Sequence, residues 1–293
     1  YEVALKHELM PGVAVSVGGY YKALVDQAQL AFHDTTVALP WLVVYKNDGA
    51  GSVKGVELTL TYQRLKRFAA TFYYTFSQAR GKGSYPRSNA GPLEYYFYQP
   101  WYPEFDSPLD YDQTHRGTLL AEYRFQPEIS SFLRGTGITA LLTFNSGHRF
   151  TKEEEIRVLG AGTPWIVGVR SLIDPRAVEM AEPPNSSRTP WVFNLDLRVS
   201  KVIHLGSLNA EFYLNILNLL NTKHILNVYP TTGLPDDDSW FQSPIAEYWT
   251  AIPGYSDFYR TLNYQNRWAY MRATGNDIYG SPRQLRLGFR LER

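Results

Sequence analysis

The feature that most constrains the fold of this chain is an alternation of apolar and polar residues with a period of two. In the segment 191–199 every odd-numbered residue is apolar, and Asn194, Asp196 and Arg198 lie between them. The same alternation recurs in 56–63, 68–76, 211–216 and 284–291. Because successive side chains of a β-strand point to opposite faces of the sheet, this pattern predicts strands with one apolar and one polar face.

The alternation, followed along the whole chain, predicts about nine strands. Their expected bounds are 1–9, 12–24, 53–64, 68–80, 114–126, 136–148, 190–203, 208–220 and 283–292. Most of these segments are longer than the mode of about 5–6 residues in globular proteins. Strands of about 9–11 residues are long enough to cross a membrane at a tilt. The pattern therefore favours an all-β fold, an antiparallel transmembrane sheet or barrel.

The connections between the predicted strands alternate between short and long. Short turns are expected at 10–12, 65–67, 127–135 and 204–207, and long polar loops at 25–52, 81–113, 149–189 and 221–282. Outer-membrane barrels have short periplasmic turns and longer external loops, whereas loops this long are uncommon in a compact soluble domain. With short turns on the periplasmic side, the last strand runs inward and the C-terminus lies in the periplasm.

The composition excludes several classes of protein. The 293 residues are 15% aromatic and 19% charged with a net charge of +1, so nothing indicates a nucleic-acid surface. The chain has no cysteine, which excludes a disulfide scaffold and a thiolate metal site. No apolar run reaches the roughly 20 residues of a transmembrane helix. The mean hydropathy of −0.31 is typical of a barrel whose strands face a polar lumen on one side.

Motifs of the common enzyme classes are absent from the sequence. It has no Gly-x-Ser-x-Gly elbow, no His-Glu-x-x-His and no glycine-rich phosphate loop. Glycosidases use two carboxylates about 5–9.5 Å apart, and a sequence with many Asp and Glu residues does not reveal that distance. We expect no catalysis and no cofactor, with a secreted β-rich carbohydrate enzyme left open as an alternative.

The most specific motifs lie in the last predicted strands. Residues 194–201 read NLDLRVSK, residues 208–223 read LNAEFYLNILNLLNTK, and residues 280–292 read GSPRQLRLGFRLE. Further motifs are VKGVEL at 53–58, YDQTHR at 111–116 and NSGHRF at 145–150. In their order and their position before the chain end, these motifs resemble the C-terminal barrel of TonB-dependent outer-membrane receptors. The resemblance is closest to the type with a carboxypeptidase-regulatory-like N-terminal domain.

The resemblance implies a barrel of 22 strands with a plug in its lumen, a size known for such transporters. Residues 1–293 would be the C-terminal portion of that barrel, and the plug and N-terminal strands would lie outside it. The implied function is energised uptake of a nutrient across the bacterial outer membrane. The implied partners are the nutrient ligand, membrane lipids and a TonB-type periplasmic protein that pulls on an N-terminal segment. A structural or binding role within a larger cell-surface complex is the alternative.

The two ends of the sequence carry an expectation of their own. The chain opens inside a predicted strand with no signal peptide, so we expect an N-terminal part outside it. An open sheet edge in a membrane leaves backbone groups unpaired, so the strands at 1–9 and 283–292 are expected to pair with strands outside this sequence. The family usually ends in an aromatic residue, and Arg293 departs from that pattern. Either the chain continues or this member lacks the usual end.

Several residues are candidates for ligand contact. His115 and Arg116 either form a ligand site at a strand mouth or point into a polar lumen. The external aromatic residues can stack on a sugar, peptide or aromatic ligand, or they can pack the loops together or belong to the interface belt. These aromatic residues are Trp101, Tyr102, Trp240, Trp249, Tyr255 and Trp268.

Two acidic runs and a series of asparagines complete the candidates. Oxygen-rich loops can hold Ca²⁺, but no EF-hand spacing follows the runs at 153–155 and 236–238. We expect solvated loops there and predict no metal site. Asn215, Asn218 and Asn221 recur every three residues, and we interpret them as marking the upper end of a strand and the entry to a loop.

Overall fold

A single antiparallel sheet of nine long strands dominates the structure. The computed structural model describes residues 1–32, 43–63, 67–86, 88, 106–125, 128, 132–158, 176–265, 267, 271 and 275–292. The long strands are β1 (Glu2–Met10), β2 (Val13–Phe32), β3 (Val43–Tyr62), β4 (Phe68–Gly81), β5 (His115–Arg124), β6 (Thr136–Asn145), β7 (Val192–Leu205), β8 (Leu208–Leu217) and β9 (Gln284–Glu292). Each pairs with the next along the chain, so the sheet is an up-and-down meander. The predicted fold class, an antiparallel all-β sheet of about nine long strands, is confirmed.

Three short pairings lie beyond the long strands, and one of them joins the main sheet while the other two form separate two-stranded sheets. Ser107–Pro108 pairs with the end of β4, Arg149–Phe150 pairs with Ser187–Arg188, and Glu153–Val158 pairs with Arg176–Met180. All of them lie in segments that connect long strands. Backbone pairing therefore continues in the connections beyond the ends of the long strands.

The predicted loop 25–52 is wrong, because β2 and β3 form a hairpin of 20 residues per strand. Pairing continues past Leu24 through two register shifts around Gln27, and Asp26 has a left-handed φ of 56°. At a rise of about 3.3 Å per residue each strand is ~66 Å long. An apolar band of about 25 Å is enough to cross the membrane, so this hairpin extends well beyond it.

The strand register places apolar and polar residues on opposite faces. One row across the sheet contains Leu58, Tyr74, Gly117, Phe144 and Phe193. The neighbouring row contains Glu57, Thr75, Arg116 and Asn145. The first row belongs to the apolar face and the second to the polar face, as the alternation predicted.

The apolar face of the sheet is exposed. In β9 the apolar side chains are 58–84% exposed, and Leu287 is the most exposed of them. The largest fully buried side chains of the described chain, such as Trp240 and Tyr259, lie in the loops instead. A wide exposed apolar surface marks a membrane or protein contact, so the face is suited to lipid.

Two belts of aromatic rings border this apolar face. We define the outer aromatic cluster as Tyr74, Phe76, His115, Phe144, Trp191 and Phe193, which form a series of ring contacts. The inner belt contains two ring pairs, Tyr62–Phe68 and Tyr123–Phe125. Phe68 and Phe76 on one strand are ~26 Å apart along its length, close to the about 25 Å between the aromatic girdles of membrane barrels.

Three glycines in the sheet lie directly beneath a cross-strand aromatic ring, and the first of them, Gly55, pairs with Tyr20. Gly117 pairs with Phe144 and Gly288 pairs with Tyr213. A Cβ atom at Gly117 would lie 2.2 Å from Cζ of Phe144, and one at Gly288 would lie 2.4 Å from the Tyr213 ring. Aromatic side chains that cover a paired glycine help to hold strand register.

The loop after β8 contains short helices that the sequence pattern did not predict. They are a 3₁₀ turn at Trp240–Gln242, α1 at Ala246–Thr250, α2 at Tyr255–Arg260 and a π-helical turn at Thr261–Gln265. Among the described residues, no helix has the length and apolar character needed to cross a membrane.

The sheet is open at both ends. Among the described strands, β1 pairs only with β2, and β9 pairs only with β8. The outer edges of β1 and β9 therefore have no strand partner in the part of the chain that the structure describes.

Candidate functional site

A buried ion cluster joins the outer ends of β5, β6 and β7. Asp112 comes just before β5, Arg149 follows β6, and Arg188 precedes β7. The carboxylate of Asp112 is 1% exposed and accepts from Nε and Nη2 of Arg149 at 2.8 and 2.7 Å. It also accepts from Nη2 of Arg188 at 3.2 Å. We call these three residues the outer ion cluster.

Hydrogen bonds complete the surroundings of the outer ion cluster. The Ala79 N–H of β4 donates to Oδ1 of Asp112 at 2.8 Å, and the Thr114 hydroxyl donates to Oδ2 at 3.3 Å. Arg188 also donates to Thr114 and to Ser146 Oγ. A buried charge is tolerated when it is paired and hydrogen-bonded. Asp112 meets that condition through donors from β4 and from the segments next to β5, β6 and β7.

The outer ion cluster carries one more positive than negative charge. Burial and the neighbouring Arg149 guanidinium lower the pKa of Arg188, whereas Asp112 raises it. An arginine remains charged under all ordinary conditions. The cluster therefore carries a net positive charge and links the outer loops to one another.

Sequence reasoning missed this cluster although its motifs were visible. The segments YDQTHR and NSGHRF contain Asp112 and Arg149, but the sequence pattern favours His115 and Arg116 as candidates. Asp112 and Arg149 are 37 positions apart in the sequence, and they meet only because the strands next to them pair in register. A useful signal was the presence of opposite charges in two motifs at the same end of neighbouring strands.

His115 and Arg116 do not form one site. Arg116 lies on the polar face beside Thr75 and is exposed, which agrees with a position in the lumen. His115 lies on the apolar face, where its Nδ1 is 2.8 Å from the Tyr74 hydroxyl and its ring stacks on Trp191 at 5.4 Å. Neighbouring strand residues point to opposite faces. The expectation that His115 points into the lumen is therefore corrected.

Arg116 borders a shallow polar recess of about 260 Å³ on the polar face. The side chains of the polar face around the recess are Glu57, Thr59, Tyr73, Thr75, Arg116 and Thr118. Both signs of charge and several hydroxyl groups are present. Such a wall offers donors and acceptors to a polar ligand.

The aromatic residues of the loop after β8 form a small core around Asp238. Tyr259 and Tyr264 both donate to its carboxylate, and the Trp240 backbone N–H donates to Oδ1 at 3.0 Å. The Trp240 indole N–H donates to the Tyr255 hydroxyl at 2.9 Å. Burial raises the pKa of Tyr255 to about 12, and burial together with Asp238 raises the pKa of Tyr259 further. We call this the loop core.

The aromatic candidates occupy different positions. The ring of Trp240 is completely buried, and Trp249 is half-buried against the loop core. Both pack the loop in this structure, and their contact with a ligand stays a prediction. Trp101, Tyr102 and Trp268 lie outside the described residues.

The acidic run at 236–238 is not the solvated loop that we expected. Asp238 is 0% exposed, and Asp237 accepts a hydrogen bond from the Ser239 N–H at 2.8 Å. In contrast, the interpretation of the asparagines is confirmed, because β8 ends at Leu217 and Asn218 and Asn221 follow with left-handed φ values of 51° and 52°.

Comparisons with known proteins identify the fold. No family model matches the sequence, and no curated protein matches it either. The structure matches the pyoverdine outer membrane receptor FpvA of Pseudomonas aeruginosa, in complex with a heterologous pyoverdine, with a TM-score of 0.53 and 13% identity. The match covers 99% of this chain and 26% of the receptor. FpvAI in its complex with pyocin S2 gives a TM-score of 0.53 at 12% identity, covering 99% and 25%.

These matches define the class of fold. The chain spans about a quarter of the length of the solved structures it matches. It has the fold of an outer-membrane β-barrel wall. More particularly, it has the fold of the barrel in TonB-dependent receptors, as the sequence motifs predicted.

Proposed function

We propose that this chain forms the C-terminal part of the barrel of a TonB-dependent receptor that takes up a nutrient across the bacterial outer membrane. One observation carries the proposal: a nine-strand meander with a lipid-suited apolar face between two aromatic belts and a polar face opposite. The polar face becomes the lumen wall. The proposal includes no catalysis and no cofactor.

Ligand contact is proposed at the outer end of the lumen. Arg116 and the polar recess lie on the lumen wall. The external loops carry the aromatic side chains, and the outer ion cluster and the loop core give these loops a defined shape. A ligand that enters from outside meets the loops first and the recess afterwards.

The partners proposed for this barrel follow from its open edges. In hydrocarbon every backbone N–H and C=O must be paired, so β1 and β9 pair with strands from the rest of the same barrel or from another chain. A plug fills the lumen, and a TonB-type protein supplies energy through a segment attached to the plug.

The membrane orientation can be tested by cysteine labelling, because the chain has no cysteine of its own. Tyr248 is 74% exposed in the loop after β8, and Ser207 lies in the short turn between β7 and β8. In whole cells an impermeant maleimide should label Tyr248→Cys at once. It should label Ser207→Cys only after the outer membrane is permeabilised. Equal labelling of both in intact cells would reject the barrel orientation.

Transport is tested separately by growth and solute uptake in the native host. Deleting the gene and disabling the energy-coupling protein should abolish uptake of the same solute, and the two deletions together should add nothing. Uptake of every tested solute without change in the gene deletion, with the labelling pattern intact, would instead favour a scaffold role in a cell-surface complex.

A further inference from the structure

A carboxylate and a guanidinium border the shallow polar recess on the polar face. Glu57 of β3 pairs with Thr75 of β4, and Thr75 pairs with Arg116 of β5, so the three residues form one row across the sheet. All three line the recess of about 260 Å³, and Glu57 and Arg116 are exposed. The recess therefore has an accessible negative charge on one side and an accessible positive charge on the other.

The strand spacing keeps these two charges apart. Neighbouring strands are about 4.8 Å from each other, so the Cα atoms of Glu57 and Arg116, which lie two strands apart, are separated by ~10 Å. The two side chains do not form an ion pair with each other. A charge-assisted hydrogen bond is about 2.8 Å long. Because both side chains project from the same face of the sheet, a ligand that bonds to both has its own two charged groups ~4 Å apart.

The remaining side chains of the recess are neutral. The next row inward on the polar face also lines the recess, and it consists of Thr59, Tyr73 and Thr118. From β2 to β6, these two rows contain no charged residue other than Glu57 and Arg116. Tyr73 is 52% exposed, so its ring and its hydroxyl are accessible. The recess therefore combines one charge of each sign with hydroxyl groups and one aromatic surface.

This charge arrangement discriminates between classes of ligand. An anionic ligand would be attracted by Arg116 and repelled by Glu57, and a cationic ligand would meet the reverse, because like charges brought together in a binding site cost free energy. A neutral ligand leaves both charges without a counter-ion. A free amino acid or a dipeptide has an ammonium and a carboxylate group about one residue apart, and consecutive Cα atoms are about 3.8 Å apart, which matches the spacing that the two side chains require.

We propose that the recess binds a zwitterionic ligand, a free amino acid or a dipeptide, with its ammonium group on Glu57 and its carboxylate on Arg116. The guanidinium donates two parallel hydrogen bonds to a carboxylate, and the Tyr73 ring offers an apolar surface to the ligand side chain. The inference names a substrate class for the proposed uptake, and it rests on the proposed function, which places the recess in the lumen.

The test uses the complete polypeptide, purified in an uncharged maltoside detergent, and measures ligand retention by equilibrium dialysis with mass spectrometry. The probe is a mixture of amino acids and dipeptides with uncharged side chains. It is compared with the same mixture after N-acetylation, which removes the ammonium group, or after C-amidation, which removes the carboxylate. The variants are Glu57→Gln, Arg116→Gln and the exchanged double variant Glu57→Arg with Arg116→Glu. The controls are Glu122→Gln and Arg286→Gln, which remove one charge of each sign elsewhere on the polar face.

The parent should retain at least one zwitterion, and blocking either end of it should weaken binding about 10- to 100-fold, the loss expected for a hydrogen bond to a charged group. Glu57→Gln should weaken zwitterion binding by a similar factor and leave binding of the acetylated form unchanged. Arg116→Gln should behave in the same way with the amidated form. The exchanged double variant should bind the zwitterion more tightly than either single variant, because the ligand can bind turned end for end. The controls should stay within about threefold of the parent, since they lie far from the recess.

Three results would overturn the proposal: no zwitterion retained by the parent, retention that depends on only one end of the ligand, or folded single variants that bind like the parent. Dependence on the carboxylate alone would identify an anionic ligand instead. Folding is followed by heat-dependent migration on gels, and if the exchanged variant fails to fold, the two single variants decide.

The labelling of Tyr248→Cys and Ser207→Cys in cells distinguishes the two ways to fail. Correct labelling with no preference for zwitterions removes only the ligand class. Incorrect labelling removes the membrane placement and with it the proposed function.

Discussion

Removing the carboxylate of Asp112 should release the outer loops from the sheet. In Asp112→Ala, Arg149 and Arg188 lose their counter-ion while their side chains are only 13% and 27% exposed. Breaking a buried ion pair by removing one partner costs about 3–5 kcal/mol, and residual water around Arg188 favours the lower value. The Ala79 N–H also loses its acceptor. We expect the free energy of local opening at this end to fall by about 3 kcal/mol.

The assay measures opening of the segment before β5 through Leu109, which is 2% exposed and whose N–H donates to the Ala79 carbonyl. In a Leu109→Cys background, about 3 kcal/mol corresponds to thiol labelling roughly 150-fold faster at equilibrium opening. The control is Asp106→Asn, which breaks an ion pair with Arg80 whose side chains are 46% and 67% exposed.

An exposed pair contributes about 0–1 kcal/mol, so this control should accelerate labelling by no more than about fivefold. Similar rates in Asp112→Ala and Asp106→Asn, with both proteins folded, would refute the view that the buried carboxylate holds the loops.

Three further predictions concern the faces, the glycines and the loop core. Leu287→Arg and Leu214→Arg should each make membrane insertion less favourable by about 2–4 kcal/mol near the midplane. Polar changes at the lumen positions Arg286 and Tyr213 should be tolerated. Equal folding yields for changes on both faces would contradict the assignment of the faces. Gly117→Ala places a Cβ atom 2.2 Å from Phe144 and should lower stability by about 1–3 kcal/mol. Gly137→Ala, with its nearest atom at 3.3 Å, should change the melting temperature much less, and equal shifts would argue against the ring contact. The raised pKa of Tyr255, about 12, means that its contribution to the loop core is fully present below pH 10 and is lost as the pH rises through 12. A difference titration of tyrosinate absorbance between the parent and Tyr255→Phe should show a midpoint near 12, and a midpoint near 10 would show that Tyr255 is not buried in solution.

The alternation predicted the strand bounds well wherever a strand has one apolar and one polar face. The bounds of β4, observed at Phe68–Gly81, and of β9 at Gln284–Glu292 lie within a residue of the prediction. Each residue on a membrane strand is apolar or polar according to the face it occupies, so the pattern can be recognised within the sequence of a single strand. Strand order followed because a meander joins each strand to its sequence neighbour.

The outer half of the long hairpin was not predictable in the same way. Residues 43–52 include Asn47, Asp48 and two glycines, a composition typical of a loop. In the proposed membrane placement that part of β3 lies outside the lipid, so no apolar alternation is required of it. Backbone pairing with β2 continues nevertheless, through register shifts that no periodic pattern signals.

The site was predicted in part. His115 lies on the same face of its strand as Leu119 and Tyr123, which is the apolar face. The alternation therefore already indicated that His115 and Arg116 point to opposite faces. The sequence offered the loop aromatic residues either for ligand contact or for packing of the loops, and their ligand contact stays a prediction. Whether a ring such as Trp240 faces solvent or is enclosed depends on the folding of its own loop, for which the sequence has no periodic signal.

By itself the sequence determined the class of fold and the faces of the strands, because these depend on residue order along single strands. Only the tertiary structure decided that Asp112 lies between Arg149 and Arg188 and that Asp238 is the centre of a loop core. It also decided that the rings of His115 and Trp191 stack with their centroids 5.4 Å apart. Such contacts join residues far apart in the chain, and their partners are chosen by register and loop packing rather than by local pattern.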